Sequence, residues 1–254
     1  MLDVLNDALL RLDPSLMLAD LGFDPEPFQR KLLRSKAERI LLLTHRQAGK
    51  STAALGIGTA LREPGSLILI VSRSQNQADE LFRKLSHFYK VLGEPVPTVE
   101  DSAHTLALES GSRIVSLPHS PTTIVGYSDP KLIIIDEAAR VADETYLSVS
   151  PMLLRSRGKL VAMSTPYGKR GWFCAAWHGE ASSWERTIYR ASENPRLDAA
   201  YLAAERVRLG ERWYLQDFEC QFLDTDDQLI GGDVIEGAFS SPEPAFFSDT
   251  ELYL

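Results

Sequence analysis

Four short apolar runs constrain this chain most: residues 39–43 (RILLL), 66–72 (SLILIVS), 132–135 (LIII) and 159–164 (KLVAMS). Each is too brief for a buried helix, and none alternates apolar with polar. Such runs fit strands covered on both faces. Between them lie helical segments: an Ala-rich stretch over residues 51–61, and residues 75–91 with Ala78, Leu81, Phe82 and Leu85 on one side. Strands alternating with helices predict a parallel sheet flanked by helices, an α/β architecture. The segment TLALES-GS-RIVSL (105–117), closed at Gly111, predicts a hairpin that adds antiparallel strands.

The flanks read differently. Residues 1–22 space Leu5, Leu9, Leu12 and Leu16 for one helical face, and Pro25 and Pro27 break that helix before a short basic helix over residues 28–36. After Pro166 aromatic residues cluster (Trp172, Phe173, Trp177, Trp184), and residues 198–222 predict one long amphipathic helical stretch. The expected organisation is a core over residues 1–180, a small helical lid over 181–223, and an acidic tail over 224–254.

Charge needs the same division. The formal net charge of −8 comes from the end of the chain, because residues 217–254 hold ten acids and no Lys or Arg, leaving residues 1–216 at +2. An acidic total argues against a protein that coats nucleic acid and allows a core that touches phosphates locally. The two cysteines, Cys174 and Cys220, supply neither a disulfide framework nor a zinc cluster. No secretory signal pattern opens the chain, and no apolar run is long enough to cross a bilayer.

Chemistry concentrates at two strand ends. The segment Thr44-His45-Arg46-Gln47-Ala48-Gly49-Lys50-Ser51-Thr52 lies between a strand and a helix, where backbone N–H groups and a helix N-terminus face an anion. Lys50 would place a point charge on the outer phosphates, Ser51 a hydroxyl on Mg²⁺, and Gly49 a close backbone approach. The common form of this loop has Gly six residues before the Lys, where this chain has Thr44. The second strand end is Ile135-Asp136-Glu137-Ala138-Ala139. Acids at the C-terminal end of a buried strand stand where open α/β sheets bind ligands. Asp136 would hold the metal, and Glu137 would orient or deprotonate a water. In isolation the pair also fits an acidic helix N-terminus; the upstream loop favours the metal-and-water reading.

With both motifs placed, the chain resembles the ATPase domain of the large terminase subunit of tailed phages, the DNA-packaging motor, from about residue 24 to about 240. Pro27-Phe28-Gln29 resembles the segment whose Gln reads adenine. Arg46-Gln47-Ala48-Gly49-Lys50-Ser51 is similar to the variant phosphate loop, and Ser72-Arg73-Ser74-Gln75-Asn76-Gln77-Ala78 to the family segment that follows it. Met163-Ser164-Thr165-Pro166 resembles the motif that couples phosphate state to movement, and Gly168-Lys169-Arg170-Gly171-Trp172-Phe173 and Glu211-Arg212-Trp213-Tyr214 also look like terminase stretches.

The resemblance implies a P-loop NTPase of the additional-strand (RecA-like) class with a small helical lid, ATP and Mg²⁺ as cofactors, and double-stranded DNA as the cargo. Catalytic residues would be Glu137, Lys50 and Arg46. Gln29, Arg46, Gln47, Ala48, Gly49, Lys50, Ser51 and Thr52 would bind nucleotide, Ser51 and Asp136 the metal, and Ser164 and Thr165 would couple. A homo-oligomeric ring on a portal, a small terminase subunit and a host-cytoplasmic location without membrane contact are implied with it. Arg73, Arg83, Lys84, Lys169 and Arg170 are candidate contacts to a phosphate backbone.

Two departures matter. An Arg-Gly pair, a candidate trans-acting finger, commonly precedes the acidic motif in that family; this chain has Ile124-Val125-Gly126-Tyr127 there. Arg46, Arg140, Arg155 and Arg157 could substitute, with Arg46 favoured by its place in the phosphate loop. The family's C-terminal nuclease is also not expected within 254 residues, and Asp224, Asp226 and Asp227 read as a solvated linker. The chain is expected to be either one domain of a longer protein or a gene without the nuclease. The alternatives are a helicase-like translocase, which would need a second motor domain, and a terminase-like nucleotide binder with weak turnover.

Overall fold

The computed structural model describes residues 13–20, 22–45, 50–180 and 183–224. Its centre is an eight-stranded sheet built from β1 (Arg39–Thr44), β2 (Leu67–Ser72), β3 (Thr98–Asp101), β4 (Thr105–Leu108), β5 (Arg113–Pro118), β6 (Leu132–Asp136), β7 (Lys159–Ser164) and β8 (Glu185–Tyr189). The strand order is β3-β4-β5-β2-β6-β7-β1-β8. Pairings from β5 through β8 are parallel, and β4 runs antiparallel to both β3 and β5. Thus β7 lies between β6, which ends in the acid pair, and β1, which precedes the expected phosphate loop, the strand order of the additional-strand P-loop class.

The four apolar runs became the four central strands because they can be buried on both sides. Side chains alternate faces along a strand, and the core divides accordingly. Ile40, Leu42, Ile68, Ile70, Leu132, Ile134, Val161 and Met163 pack against the helices Lys50–Arg62 and Gln75–Val91. Leu41, Leu43, Leu69, Val71, Ile133, Ile135, Leu160 and Ala162 pack on the other face with Val149 and Leu153 of the helix Asp143–Ser156 and with Trp172 and Phe173 of the helix Gly171–His178. Each large aliphatic side chain so buried contributes roughly 1.5–3 kcal/mol.

Local chemistry sets the element ends. Ser74 caps the helix Gln75–Val91, its side chain accepting from the Gln77 N–H at 3.4 Å. The short basic helix forms over Pro27–Arg34, with Pro at its first position and a capping box between Glu26 and Gln29. The helical stretch expected over residues 198–222 is two helices, Ala199–Leu209 and Glu211–Asp217, because Gly210 between them adopts φ +81°. Residues 185–189, expected in the lid, form β8 beside β1, so the sheet extends past residue 180. Of the expected N-terminal helix, Leu16–Asp20 is helical; residues 1–12 lie outside the described residues, as does nearly all of the acidic tail, with Asp226 and Asp227.

The sheet's outer strands are short and charged. β3 carries Glu100 and Asp101, both exposed, with an irregular register against β4. β8 carries Glu185, which accepts from the Ser35 hydroxyl at 2.9 Å, and Arg186, which donates to the carbonyls of Ala176 and Gly179.

Gly158 is the tightest point in the frame that carries β7. A Cβ there would stand 2.3 Å from the Pro130 carbonyl oxygen and 2.7 Å from Leu153 Cδ2. Backbone cannot yield to that extent without moving β7 against β6. Gly158→Ala should therefore cost about 3 kcal/mol, read as a lower midpoint in urea unfolding at an unchanged slope.

Candidate functional site at the C-terminal edge of the sheet

The site forms where the parallel strands end. β1 ends at Thr44, β2 at Ser72, β6 at Asp136 and β7 at Ser164. The register brings these ends together: Leu43 pairs with Ser164, Asp136 with Met163, and Val71 with Ile135. Thr44 stands opposite Tyr189 as the last residue of β1, so at this position the chain continues the strand rather than opening a glycine loop. The Ser72 and Ser164 hydroxyls are buried and make no hydrogen bond among the described residues, which leaves two polar groups, one on each side of Asp136, available to a ligand.

Asp136 and Glu137 are fixed differently. Glu137 turns the chain at φ +51°, a left-handed conformation that costs a non-glycine residue energy. Its N–H donates to Asp136 Oδ1 at 3.0 Å, and its carboxylate Oε2 accepts from Gln77 Nε2 at 3.1 Å. Burial pushes the Asp136 carboxyl up from 3.8 to about 6; the Glu137 charge adds to the rise, while the Glu137 N–H and Lys84 oppose it. A half-buried carboxylate in this state is short of positive charge. The described residues hold no group of three or more His, Cys, Asp or Glu that could cage a metal ion. One carboxylate beside free hydroxyls instead fits a hard cation that takes its remaining ligands from water and substrate phosphates, as Mg²⁺ does.

Of the expected phosphate loop, Arg46, Gln47, Ala48 and Gly49 lie outside the described residues. Lys50, Ser51 and Thr52 open the helix Lys50–Arg62, directly after β1. The N-terminus of this 13-residue helix therefore stands at the same sheet edge as Asp136 and Ser164, where its free N–H groups and dipole favour an anion.

Gln29 is not at this edge cluster but in a cleft of about 540 Å³ beside it. His45, the residue leaving β1, forms part of the cleft wall with Tyr189, Asn194, Arg208 and Phe218. The Gln29 side-chain Oε1 accepts from the Glu26 backbone N–H at 2.9 Å. Tyr189 stacks on Phe28 with ring centroids 4.3 Å apart. Its phenol is raised well above the usual range by burial and by the nearby Glu26 carboxylate. Tyr189 is absent from the expected site, because the strand that carries it gave no signal in the sequence.

The remaining candidates separate by their partners. Arg155 forms a two-pronged pair with Asp129, and Arg157 ends its helix at φ +47°; both precede β7 and so lie at the opposite edge of the sheet. Arg140 follows Glu137 at the site edge, stacked at 4.2 Å on Tyr167. Val125 is 57% exposed. Arg83 and Lys84 pair with Glu80, and Lys169 with Asp224. Arg170 lies 4.6 Å from the Tyr167 ring centre, and Arg73 is exposed at the end of β2. Thr165, half-buried, follows Ser164 off the end of β7. No helix among the described residues is long and apolar enough to cross a membrane.

Known structures share this fold. The large terminase ATPase domain of Thermus phage P74-26 superposes with a TM-score of 0.71 at 18% identity, covering 81% of this chain and 97% of that one. The large terminase of bacteriophage HK97 superposes with a TM-score of 0.63 at 16% identity over 79% of this chain and 51% of that chain. This chain thus spans about half of the HK97 protein. A third large terminase, from a thermophilic bacteriophage and solved in complex with ADP, gives a TM-score of 0.61 at 12% identity, covering 78% of this chain and 54% of that one. No protein-family model matches the sequence, and no curated protein does. The resemblance read from the motifs is therefore borne out as a fold.

The proton affinity of Asp136 sets a stability test. A carboxyl raised from 3.8 to about 6 in the folded chain contributes stability at pH below 3.8 that is lost as pH rises through about 6. The rise corresponds to ~3 kcal/mol. In the free chain, Asp136→Asn should raise thermal stability at pH 7, and the gain should shrink towards zero as the pH falls below 4.

Proposed function

We propose that this chain is a Mg²⁺-dependent ATPase of the large-terminase kind, driving double-stranded DNA into a capsid. The observation that carries the reading is the strand order at the site. Asp136 and Glu137 end β6, Ser164 ends β7 beside it, and the Lys50–Arg62 helix follows β1 beside that. Terminases solved with ADP and with ATP-γ-S share this fold and support ATP as the nucleotide.

In this reading Lys50 binds the β- and γ-phosphates, with Arg46, Gln47, Ala48, Gly49 and Thr52 completing the loop. Ser51 and Asp136 would hold Mg²⁺, whose charge neutralises the phosphate oxygens. Glu137 orients the attacking water and accepts its proton. Gln29 reads the adenine edge, in a cleft that opens beside the end of β1. Ser164 and Thr165 respond to the γ-phosphate from the end of β7 and pass its state to the rest of the chain. The partners are double-stranded DNA, further copies of the chain in a ring on a portal, and a small terminase subunit.

A second reading, a nucleotide binder with weak turnover, is favoured by Val125. The position where the resemblance expects a trans-acting arginine is exposed and apolar, and such an arginine contributes orders of magnitude in rate. One assay separates the two. Glu137→Gln should lower ATP turnover by roughly 100-fold or more while nucleotide affinity persists. If turnover by the assembled protein is undiminished in the variant, Glu137 is not the base. If the unaltered protein binds ATP yet does not hydrolyse it even when assembled on DNA, the second reading stands. In the same assay Gln29→Ala should raise KM for ATP more than it lowers kcat, and should narrow the preference for ATP over GTP.

A further inference from the structure

We infer that Arg140 brings positive charge to the transferring phosphoryl group of the nucleotide held by its own chain, and that Tyr167 is the positioning residue that keeps it ready. This rests on the ATPase reading above. In the step concerned, a water oxygen bonds to the γ-phosphorus and the water's proton passes to Glu137. The bond from that phosphorus to the bridging oxygen breaks, its electron pair going to ADP, and inorganic phosphate leaves. Negative charge is spread over the leaving and equatorial oxygens, and a guanidinium beside them lowers the barrier. Val125, exposed and apolar, cannot supply one.

Arg140 stands one turn beyond the acid pair. Its backbone N–H donates to the Glu137 carbonyl at 2.8 Å, closing the short turn Ala138–Arg140. That turn is pinned at both ends. Ala138 is fully buried in the core, and the Val141 carbonyl accepts from Trp172 Nε1 at 3.2 Å. Tyr167 comes off the adjacent strand, three residues past Ser164. The two segments meet where the Arg140 guanidinium lies over the Tyr167 ring, 4.2 Å from its centre.

Arg140 has a ring for a partner where a carboxylate would be usual. Among the described residues its guanidinium makes no hydrogen bond and no ion pair, although two carboxylates stand one turn away. The positive charge that Asp136 feels is that of Lys84. A ring face attracts a guanidinium without using up its N–H donors. The contact therefore keeps Arg140 from closing on Asp136 or Glu137, where it would displace a cation or occupy the base. It also leaves a fork of donors for phosphate oxygens. The other arginines lack this place. Arg155 pairs with Asp129 and, like Arg157, lies at the opposite sheet edge. Arg170 shares the Tyr167 ring at 4.6 Å, but it leaves from β7 rather than from the turn that carries Glu137. Its like charge at the same ring eases the move of Arg140 towards a phosphate.

Steady-state ATP hydrolysis by the full chain tests this. Arg140→Ala should lower kcat roughly 100-fold or more and leave KM for ATP nearly unchanged, because the charge is used in the transition state. Added guanidinium ion should restore part of that loss and should not restore Glu137→Gln. Tyr167→Leu should lower kcat roughly fivefold, the size of a cation–π contact, and Tyr167→Phe, which keeps the ring, should rescue most of it. Mixing Arg140→Ala chains with Glu137→Gln chains shows whose nucleotide the guanidinium serves; no turnover beyond that of either variant alone is expected. Undiminished kcat in Arg140→Ala, a loss that guanidinium does not restore, or activity regained on mixing overturns the inference and leaves Glu137 as the base. So does an Arg140→Ala chain that loses only affinity for double-stranded DNA, since its guanidinium would then be a backbone contact. If the unaltered chain does not hydrolyse ATP, or Glu137→Gln turns over as fast as it does, the ATPase reading falls and the role of Arg140 with it.

Discussion

Burial of four strands on both faces governs everything else in this molecule. Once Ile40–Leu43, Leu67–Val71, Leu132–Ile135 and Leu160–Met163 are sealed between helices, no polar chemistry fits within the sheet. It is displaced to the strand ends, where backbone N–H groups, helix N-termini and loop side chains meet. Thr44, Ser72, Asp136 and Ser164 stand together because parallel register aligns the ends of β1, β2, β6 and β7. The site is thus a by-product of sheet packing, and its precision comes from the stiffness of a core that tolerates little displacement.

That stiffness maintains strain and desolvation at the edge. Glu137 is held left-handed, and Asp136 is half-buried with its carboxyl shifted to about 6. Neither is a favourable state on its own. The frame over-determines both.

The sequence made the central strands and the acid pair legible because each carries a local signal, an unbroken apolar run or an abrupt change to charge. It made the helix Gln75–Val91 legible through apolar spacing. β8 was hidden: Glu185-Arg186-Thr187-Ile188-Tyr189 is half-exposed and mostly polar, and becomes a strand because β1 offers it a free edge. The break at Gly210 was hidden because the flanking residues keep helical spacing on both sides. The Gln77–Glu137 contact spans sixty residues, so no local pattern could announce it. Gln29 was singled out by a motif and lines the cleft, while its neighbours there, Tyr189 and Phe218, were brought in by tertiary packing alone.

The outermost strands carry a consequence for crowding. An open sheet with bare edges invites a neighbour's strand. Here β3 ends in Glu100 and Asp101 with a slipped register, and β8 opens with Glu185 and Arg186, both already engaged by their own chain. A second copy could extend the sheet only by stripping water or partners from those charges. Among the described residues, it is therefore the helix and loop surfaces, rather than the strand edges, that stand open to another molecule.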